Sequence, residues 1–335
     1  MYLDIHDFLT LRHQVPVVDV RSEDEYEQGH IPAVTNIPVL NNEERRQVGT
    51  DYKQKGQAEA IRTGFRLVGP RLSRMIDDSS KLGDEIIVHC WRGGMRSANF
   101  CGFVEMARQR THQLAGGYKA YRNKVRESFQ EPLQLLVVGG CTGSGKSDIL
   151  RALANRGEQV IDLERLANHK GSAFGGLMMP PQPTTEQFEN HLFEVLTKFD
   201  RSKRIWIEDE SPGVGHIFLP ESLWRQMNAR PVIEVLLDKQ ARIRRLVDEY
   251  GHADREAFLA AMTRITKKLG GQHYNAAKEK LLAGDMVSTI DILLMYYDKA
   301  YRIGLEKNGS RIKGKFVWDG QDLDAMADEL IESEI

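Results

Sequence analysis

The 335-residue chain has only three cysteines, Cys90, Cys101 and Cys141, with no paired spacing among them. That excludes a disulfide-stapled secreted scaffold and fits a reducing compartment. No apolar run approaches the ~20 residues that cross a bilayer. Met1–Thr10 also lacks the charged and apolar regions of a signal peptide. A cytoplasmic protein with no membrane partner is therefore expected. Internal repeats and low-complexity tracts are missing too. The net charge of −2 supplies no global attraction to nucleic acid. What the chain does have is length enough for two separate hydrophobic cores.

The strongest local pattern is G-C-T-G-S-G-K-S at 140–147, directly after the apolar run Leu133–Val138. Gly140, four residues, then Gly145, Lys146 and Ser147 is P-loop spacing. Glycines let the backbone curl so that successive N–H groups face phosphate oxygens. Lys146 adds a mobile cation, and the Ser147 hydroxyl suits Mg²⁺. The helical spacing of D-I-L-R-A-L-A-N after it puts the phosphates at a helix N-terminus. Gly140, Thr142, Gly143, Ser144, Gly145, Lys146 and Ser147 form the expected phosphate or diphosphate cradle. A carboxylate partner for the metal is sought at the ends of later strands. Arg204–Glu208 runs into Asp209 and Glu210, and Gln159–Leu163 contains Asp162 and runs into Glu164. Asp209 is preferred, because it follows the more apolar strand; a solvated strand end or helix cap explains any one of them equally well.

Fifty residues upstream, C-W-R-G-G-M-R-S (90–97) lies between a strand-like E-I-I-V-H (85–89) and an amphipathic helix over Ser97–Arg108. Backbone N–H groups, the helix dipole and the guanidinium groups of Arg92 and Arg96 favour a thiolate at Cys90. The same loop would hold a tetrahedral or persulfide-like anion. Cys101 sits on the apolar helix and reads as core. Cys141 is explained by loop geometry rather than thiol chemistry.

V-V-D-V-R-S-E-D-E-Y-E-Q-G-H-I-P-A-V-T-N-I-P (17–38) resembles the opening of rhodanese domains, and L-A-G-G-Y-K-A-Y-R (114–122) resembles their closing motif. The resemblance implies a loop cysteine that carries sulfur or selenium, with His30 a structural hydrogen-bonder. The loop departs from the sulfur-transferring pattern C-x-x-G-x-R by one extra residue between Cys90 and Arg96. Rhodanese-fold phosphatases share the longer loop, so phosphatase chemistry is a rival for this half of the chain.

The expected architecture is α/β: an N-terminal rhodanese-like domain over 1–127, then a P-loop NTPase-like domain over 128–335. The second is read as a doubly wound parallel sheet with a helical C-terminal annex and an acidic C-terminal tail. Its last strand is read from K-F-V-W-D at 315–319. Residues 318–335 carry seven acids and no Lys or Arg, which leaves +5 on the rest. Basic clusters at 239–245, 264–268 and 311–315 are solvated helix faces on the bland reading. Arg242, Arg244, Arg245, Lys267 and Lys268, with Tyr296, Tyr297 and Tyr301 nearby, are also candidates for RNA phosphates and stacking. Arg242, Arg244 and Arg245 equally suit a lid over bound phosphates, as in nucleotide kinases.

A thiol loop and a phosphate loop in one chain, with I-D-L-E-R-L-A-N-H-K-G-S-A-F-G (161–175) and I-W-I-E-D-E-S (205–211), resemble the tRNA 2-selenouridine synthase family along almost the whole length. The resemblance implies a transferase acting on tRNA with 2-thiouridine at the wobble position. It implies geranylation of the sulfur from geranyl diphosphate and its replacement by selenium from selenophosphate. Cys90, Arg92, Arg96 and Lys146 would then be the catalytic residues, Ser147 and Asp209 the Mg²⁺ ligands, and a longer thiol loop would suit a phosphate-sized donor. Phe174, Leu177, Met178 and Met179 are candidates for an apolar slot. A monomer is favoured. The rivals are a P-loop small-molecule kinase, a rhodanese-fold phosphatase, and a non-enzymatic RNA-binding protein switched by nucleotide.

Overall fold

The computed structural model describes residues 1–333, and for 305–308 only the backbone. The chain divides into two compact units, Met1–Ser128 with Glu189–Glu194, and Phe129–Phe188 with Val195–Ile335.

The first unit is built on five parallel strands, β1 (Tyr2–Leu3), β2 (Val17–Asp19), β3 (Thr35–Asn36), β4 (Glu85–His89) and β5 (Arg110–Leu114), in the order β1-β5-β4-β2-β3. The middle strand β4 contributes Ile86, Ile87 and Val88 in succession, all fully buried. Consecutive apolar residues are what a parallel strand covered on both faces requires. Cys90 follows at its C-terminal end, the edge where open parallel sheets place their ligand sites. The helix Met95–Met106 then begins. Upstream, the acidic helix Glu23–Gln28 starts with a capping box, in which Ser22 and Glu25 satisfy each other's backbone N–H groups.

The second unit has a parallel sheet of β6 (Gln134–Gly139), β7 (Gln159–Ile161), β8 (Arg204–Glu208), β11 (Val232–Leu236) and β12 (Ile312–Val317), in the order β12-β11-β6-β8-β7. A small antiparallel pair, β9 (Gly213–Val214) and β10 (Ile217–Phe218), lies outside it. β6 is central, so the loop after it opens where strands flank it on both sides, the switch point of a doubly wound sheet. The helices Lys239–Tyr250, Arg255–Arg264, Gly271–Leu282 and Met286–Asn308 enclose a second core around Phe174, Phe258, Met262 and Leu294. These form the annex read from the sequence.

The acidic C-terminal segment is not a tail. Leu323–Glu332 is a helix that buries Met326, Ala327 and Leu330 in the sheet core with Ile149, Leu153 and Trp206. Its acids face outward, where Asp324 and Asp328 pair with Arg156. Truncating Leu330 would cost about 2–5 kcal/mol. The last two residues lie outside the described ones. Among the described residues, no helix is long and apolar enough to cross a membrane.

Candidate active-site loops

Cys90 is nearly inaccessible, at 3% exposure. Its Sγ lies 3.2 Å from Ser97 Oγ and accepts the Gly94 N–H at 3.3 Å. Ser97 is itself fixed by Gln113, whose Nε2 donates to Ser97 Oγ at 2.9 Å and to Gly93 O at 2.6 Å. Burial pushes the thiol pKa up, but the Ser97 hydroxyl and backbone and the Arg96 charge outweigh it. The net shift is downward, as an anion-binding loop at a helix N-terminus should give. Cys101 and Cys141 shift the other way, each raised by burial, so Cys90 alone of the three is shifted toward the thiolate.

Gly93 makes this loop possible. Its φ is +66°, and a Cβ there would fall 2.6 Å from Leu114 O and 3.1 Å from Gly116 N. The two glycine motifs, C-W-R-G-G and L-A-G-G-Y, are thus pressed backbone to backbone. Tyr118 and Lys119 N–H complete the junction by donating to Cys90 O and Trp91 O, each at 2.9 Å.

Arg96 reaches the loop, but its fork is already engaged. Nη1 and Nη2 donate to Glu25 Oε2 and Oε1 at 2.6 and 3.2 Å. Arg92 is exposed and makes no ion pair among the described residues. Of the two expected anion-holding arginines, Arg92 is the available one, and Arg96 acts on Cys90 through its charge. The partner Glu25 was missed by sequence reasoning. Its signal was present only as an acid in the capping box of a helix far upstream. His30 stacks on Tyr26 at 3.9 Å, and its Nδ1 lies 3.0 Å from Tyr26 O, a structural arrangement.

In the second unit the phosphate loop closes onto the helix Lys146–Asn155, with Gly145 as N-cap at φ +90°. A Cβ on Gly145 would meet the Trp318 ring at 2.5 Å. That indole donates from Nε1 to Ser144 O at 3.0 Å and buttresses the loop. Lys146 Nζ donates to Gly140 O at 3.0 Å. Ser144 is buried, its Oγ has no partner, and its N–H donates to Cys141 O at 3.0 Å, so of the expected cradle residues it is the one turned inward to hold the loop's shape. Gly140, Thr142, Gly143, Gly145, Lys146 and Ser147 all line one cleft of about 810 Å³.

Ser147 Oγ donates to Glu164 Oε2 at 2.7 Å, which adds Glu164 to Asp209 as a carboxylate beside this hydroxyl's cleft. The Glu164 N–H in turn donates to Glu208 Oε1 at 2.7 Å. Asp209 and Glu210 line the same cleft. Burial pushes Glu208 well up, with Glu164 and Asp162 adding to it. Burial and the Glu164 charge raise Glu210 to about 7. Asp162 is committed elsewhere, capping the next helix through the Arg165 N–H at 2.8 Å. Among the described residues no three His, Cys, Asp or Glu side chains converge as a metal cluster. A hydroxyl and one or two carboxylates are nonetheless the sparse oxygen set that Mg²⁺ uses when substrate phosphates complete its shell.

The expected tRNA contacts separate into three kinds. Arg242 is buried and cannot be a surface contact. Its guanidinium forks onto Asp298 at 2.7 and 2.9 Å and donates to Thr142 O at 3.2 Å, so it braces the phosphate loop. Arg245 turns into the cleft and pairs with Asp148. Arg244, Lys267 and Lys268 are exposed. Tyr297 and Tyr301 also line the cleft, with hydroxyls bonded to Ala173 N–H and Glu234. Of the candidate apolar-slot residues only Met179 lines it, while Phe174 lies in the annex core and Met178 points outward.

Comparison with known proteins agrees with both loops. The family model for the tRNA 2-selenouridine synthase AAA domain matches residues 133–330, and that for the rhodanese-like domain matches residues 5–124. A tRNA 2-selenouridine synthase of Sulfurovum sp. (strain NBC37-1) is 35% identical, with 95% of each chain covered. One of Nitrosomonas europaea (strain ATCC 19718) is 30% identical over 91% of this chain and 92% of its own. A solved N-terminal domain from Clostridium difficile 630 is 41% identical over 37% of this chain and 98% of its own, with a TM-score of 0.36. Two unrelated loop chemistries joined in one chain, and relatives matching it nearly end to end, lead to one assignment: the chain belongs to the tRNA 2-selenouridine synthase family.

Proposed function

We propose that the chain converts wobble 2-thiouridine of tRNA to 2-selenouridine in two steps, geranylation followed by selenium exchange. The observation that carries this reading is the pairing of a lowered-pKa thiol in an N–H-lined loop with a lysine-bearing phosphate cleft in a member of this family.

In the first step the backbone N–H groups of 140–147 and Lys146 hold the diphosphate of geranyl diphosphate. The thione sulfur attacks the allylic carbon, the C–O bond breaks, and diphosphate leaves with the electron pair. The base loses its N3 proton, which leaves a neutral S-geranyl nucleoside. Lys146 opposes the charge that develops on the leaving group. Mg²⁺, held by Ser147 Oγ with Glu164, or with Asp209 from the same cleft, would supply further neutralisation. Alkylation turns a poor leaving group into a good one.

In the second step selenide released from selenophosphate adds at C2, the C2–S bond breaks, and geranyl thiolate leaves with the electron pair. Cys90 Sγ attacks the phosphorus of selenophosphate, the P–Se bond breaks to release that selenide, and water later frees phosphate from the S–P bond. Arg92 holds the anionic donor, and the Arg96 charge favours the thiolate. The long thiol loop suits a donor of phosphate size. Arg244, Lys267 and Lys268 are read as contacts to tRNA phosphates.

The test is a two-stage incubation of 2-thiouridine-containing tRNA with geranyl diphosphate and then selenophosphate, read by mass spectrometry of the digested nucleosides. The wild-type protein should give the geranylated and then the seleno nucleoside. Lys146→Ala should lower geranylation by about 10²–10³-fold yet still selenate tRNA that is already geranylated. Cys90→Ser should do the reverse. Neither product from the wild-type protein on competent tRNA would end this reading.

A further inference from the structure

Three arginines lie within four residues on the helix Lys239–Tyr250, and their surroundings differ sharply. Arg242 is spent on Asp298 and Thr142, and Arg244 is exposed. Arg245 is the one that lines the phosphate cleft. This helix runs along the loop: a Cβ on Gly143 would lie 3.0 Å from Leu246 Cδ1 and 3.3 Å from Arg242 O. One on Gly145 would lie 3.2 Å from Arg245 Nη2. The guanidinium stands 5.3 Å from the centre of the Trp318 ring, and that ring is tied to Ser144 O. Arg245 is thus held over a fixed indole platform at the rim of the cradle.

Its ion-pair partner is unexpected. Asp148 is in the first turn of the helix that receives the phosphates, two residues after Lys146. A lone carboxylate there repels a bound phosphate. Two arginines answer it, since Arg151 and Arg245 both pair with Asp148, and all three line the cleft. One anion shared by two cations leaves one of them surplus. Arg151 lies one turn along on the same helix and is more than half exposed, whereas Arg245 comes from another element and is 25% exposed. Arg245 is therefore the cation best set to move to a stronger anion.

We propose that Arg245 is a second phosphate ligand of this cleft, which exchanges Asp148 for a bound diphosphate. This rests on the diphosphate reading above. Diphosphate carries more charge than a carboxylate and offers two oxygens to the planar fork. The swap adds a fork-shaped cation to the point charge of Lys146, and the indole keeps the arm's reorganisation small. Asp148 sets the threshold: an anion must outcompete it to draw Arg245 over.

Calorimetric titration of the full chain with inorganic diphosphate and Mg²⁺ tests this, with thermal melts to verify each variant's fold. Arg245→Ala should weaken binding by about tenfold or more, and Arg245→Lys by less. Asp148→Asn, which frees Arg245, should tighten it several-fold. The Asp148 variant separates a ligand from a strut, because a merely structural pair loses binding when either member is removed. Unchanged binding in Arg245→Ala overturns the inference, and so does weaker binding in Asp148→Asn. No diphosphate binding by the wild-type protein would overturn the reading of the cleft as well. If Arg245→Ala does not fold, Arg245→Lys and Asp148→Asn still give opposite signs under the proposal.

Discussion

Glu25 holds Arg96 through both terminal guanidinium nitrogens, at 2.6 and 3.2 Å, across 71 residues of sequence. The same carboxylate accepts the Ser22 N–H that starts its own helix and pairs with Arg45 at 2.9 Å. One acid therefore fixes the acidic helix, orients the arginine behind the thiol loop and partly cancels the charge that favours the Cys90 thiolate. The loop is held in shape at some cost to its electrostatic strength.

Glu25→Gln separates those effects. The amide keeps the shape but removes the negative charge, so Arg96 acts on Cys90 at full strength. The midpoint of Cys90 alkylation with pH should move lower, while the fold loses about 1–3 kcal/mol from the broken charge-assisted bonds. The sign of the acid dependence follows. Burial raises the Glu25 carboxyl, but Arg96 and Arg45 lower it further, for a net downward shift. Its contribution is present above the ordinary glutamate range and lost as pH falls through the lowered value. Acid unfolding of Glu25→Gln should therefore be shallower. A higher alkylation midpoint would mean that Arg96 moves away once released.

Glu210 predicts the opposite slope. It is raised to about 7 from 4.5, by burial first and then by Glu164. Here the folded state keeps a proton that the unfolded chain has lost. Stability from this group is fully present at the acid end, falls as pH rises from about 4.5 to about 7, and is level above. Urea melts at pH 5 and pH 8 should show the wild type losing more stability than Glu210→Gln over that span, by about 1–3 kcal/mol. Equal losses in the two proteins would mean that Glu210 is well solvated in solution.

Both loops were legible because each is a short contiguous pattern between a strand and a helix. Gly140, Lys146 and Ser147, like Cys90 and Gly93, depend on neighbours a few residues away. What was not legible depends on distant partners. That Glu164 bonds to Ser147 while Asp209 lines the same cleft turns on how β8 and then β7 follow β6 in the sheet, and strand apolarity says nothing about that. Glu25 is one of four acids between residues 23 and 27, and only the fold selects it. The acidic end was misread because charge counts hide the spacing of Met326, Ala327 and Leu330, which builds a buried face. In K-Q-A-R-I-R-R the arginines looked equivalent as charge, although Arg242 and Arg245 are three residues apart, on one helix face, and Arg244 is not.

That last distinction makes a prediction about tRNA. Arg242→Ala leaves Asp298 without its fork and frees the Thr142 carbonyl. Asp298 keeps some access to water, at 22% side-chain exposure, so the loss should be about 1–3 kcal/mol rather than the larger cost of a fully buried pair. Diphosphate binding should weaken as well, because the crest of the phosphate loop loses its brace. The salt dependence of tRNA binding should not change, since a buried guanidinium neutralises no RNA phosphate. Arg244→Ala should behave in the reverse way. A surface arginine on an RNA phosphate contributes to counterion release, so its loss should reduce the slope of log affinity against log salt by about one while leaving the melting temperature within error. Filter binding of tRNA from low to moderate salt, with thermal melts of both variants, measures each pair of quantities. If Arg242→Ala flattened the salt slope and left the melt unchanged, its guanidinium would be reaching RNA and not bracing the loop.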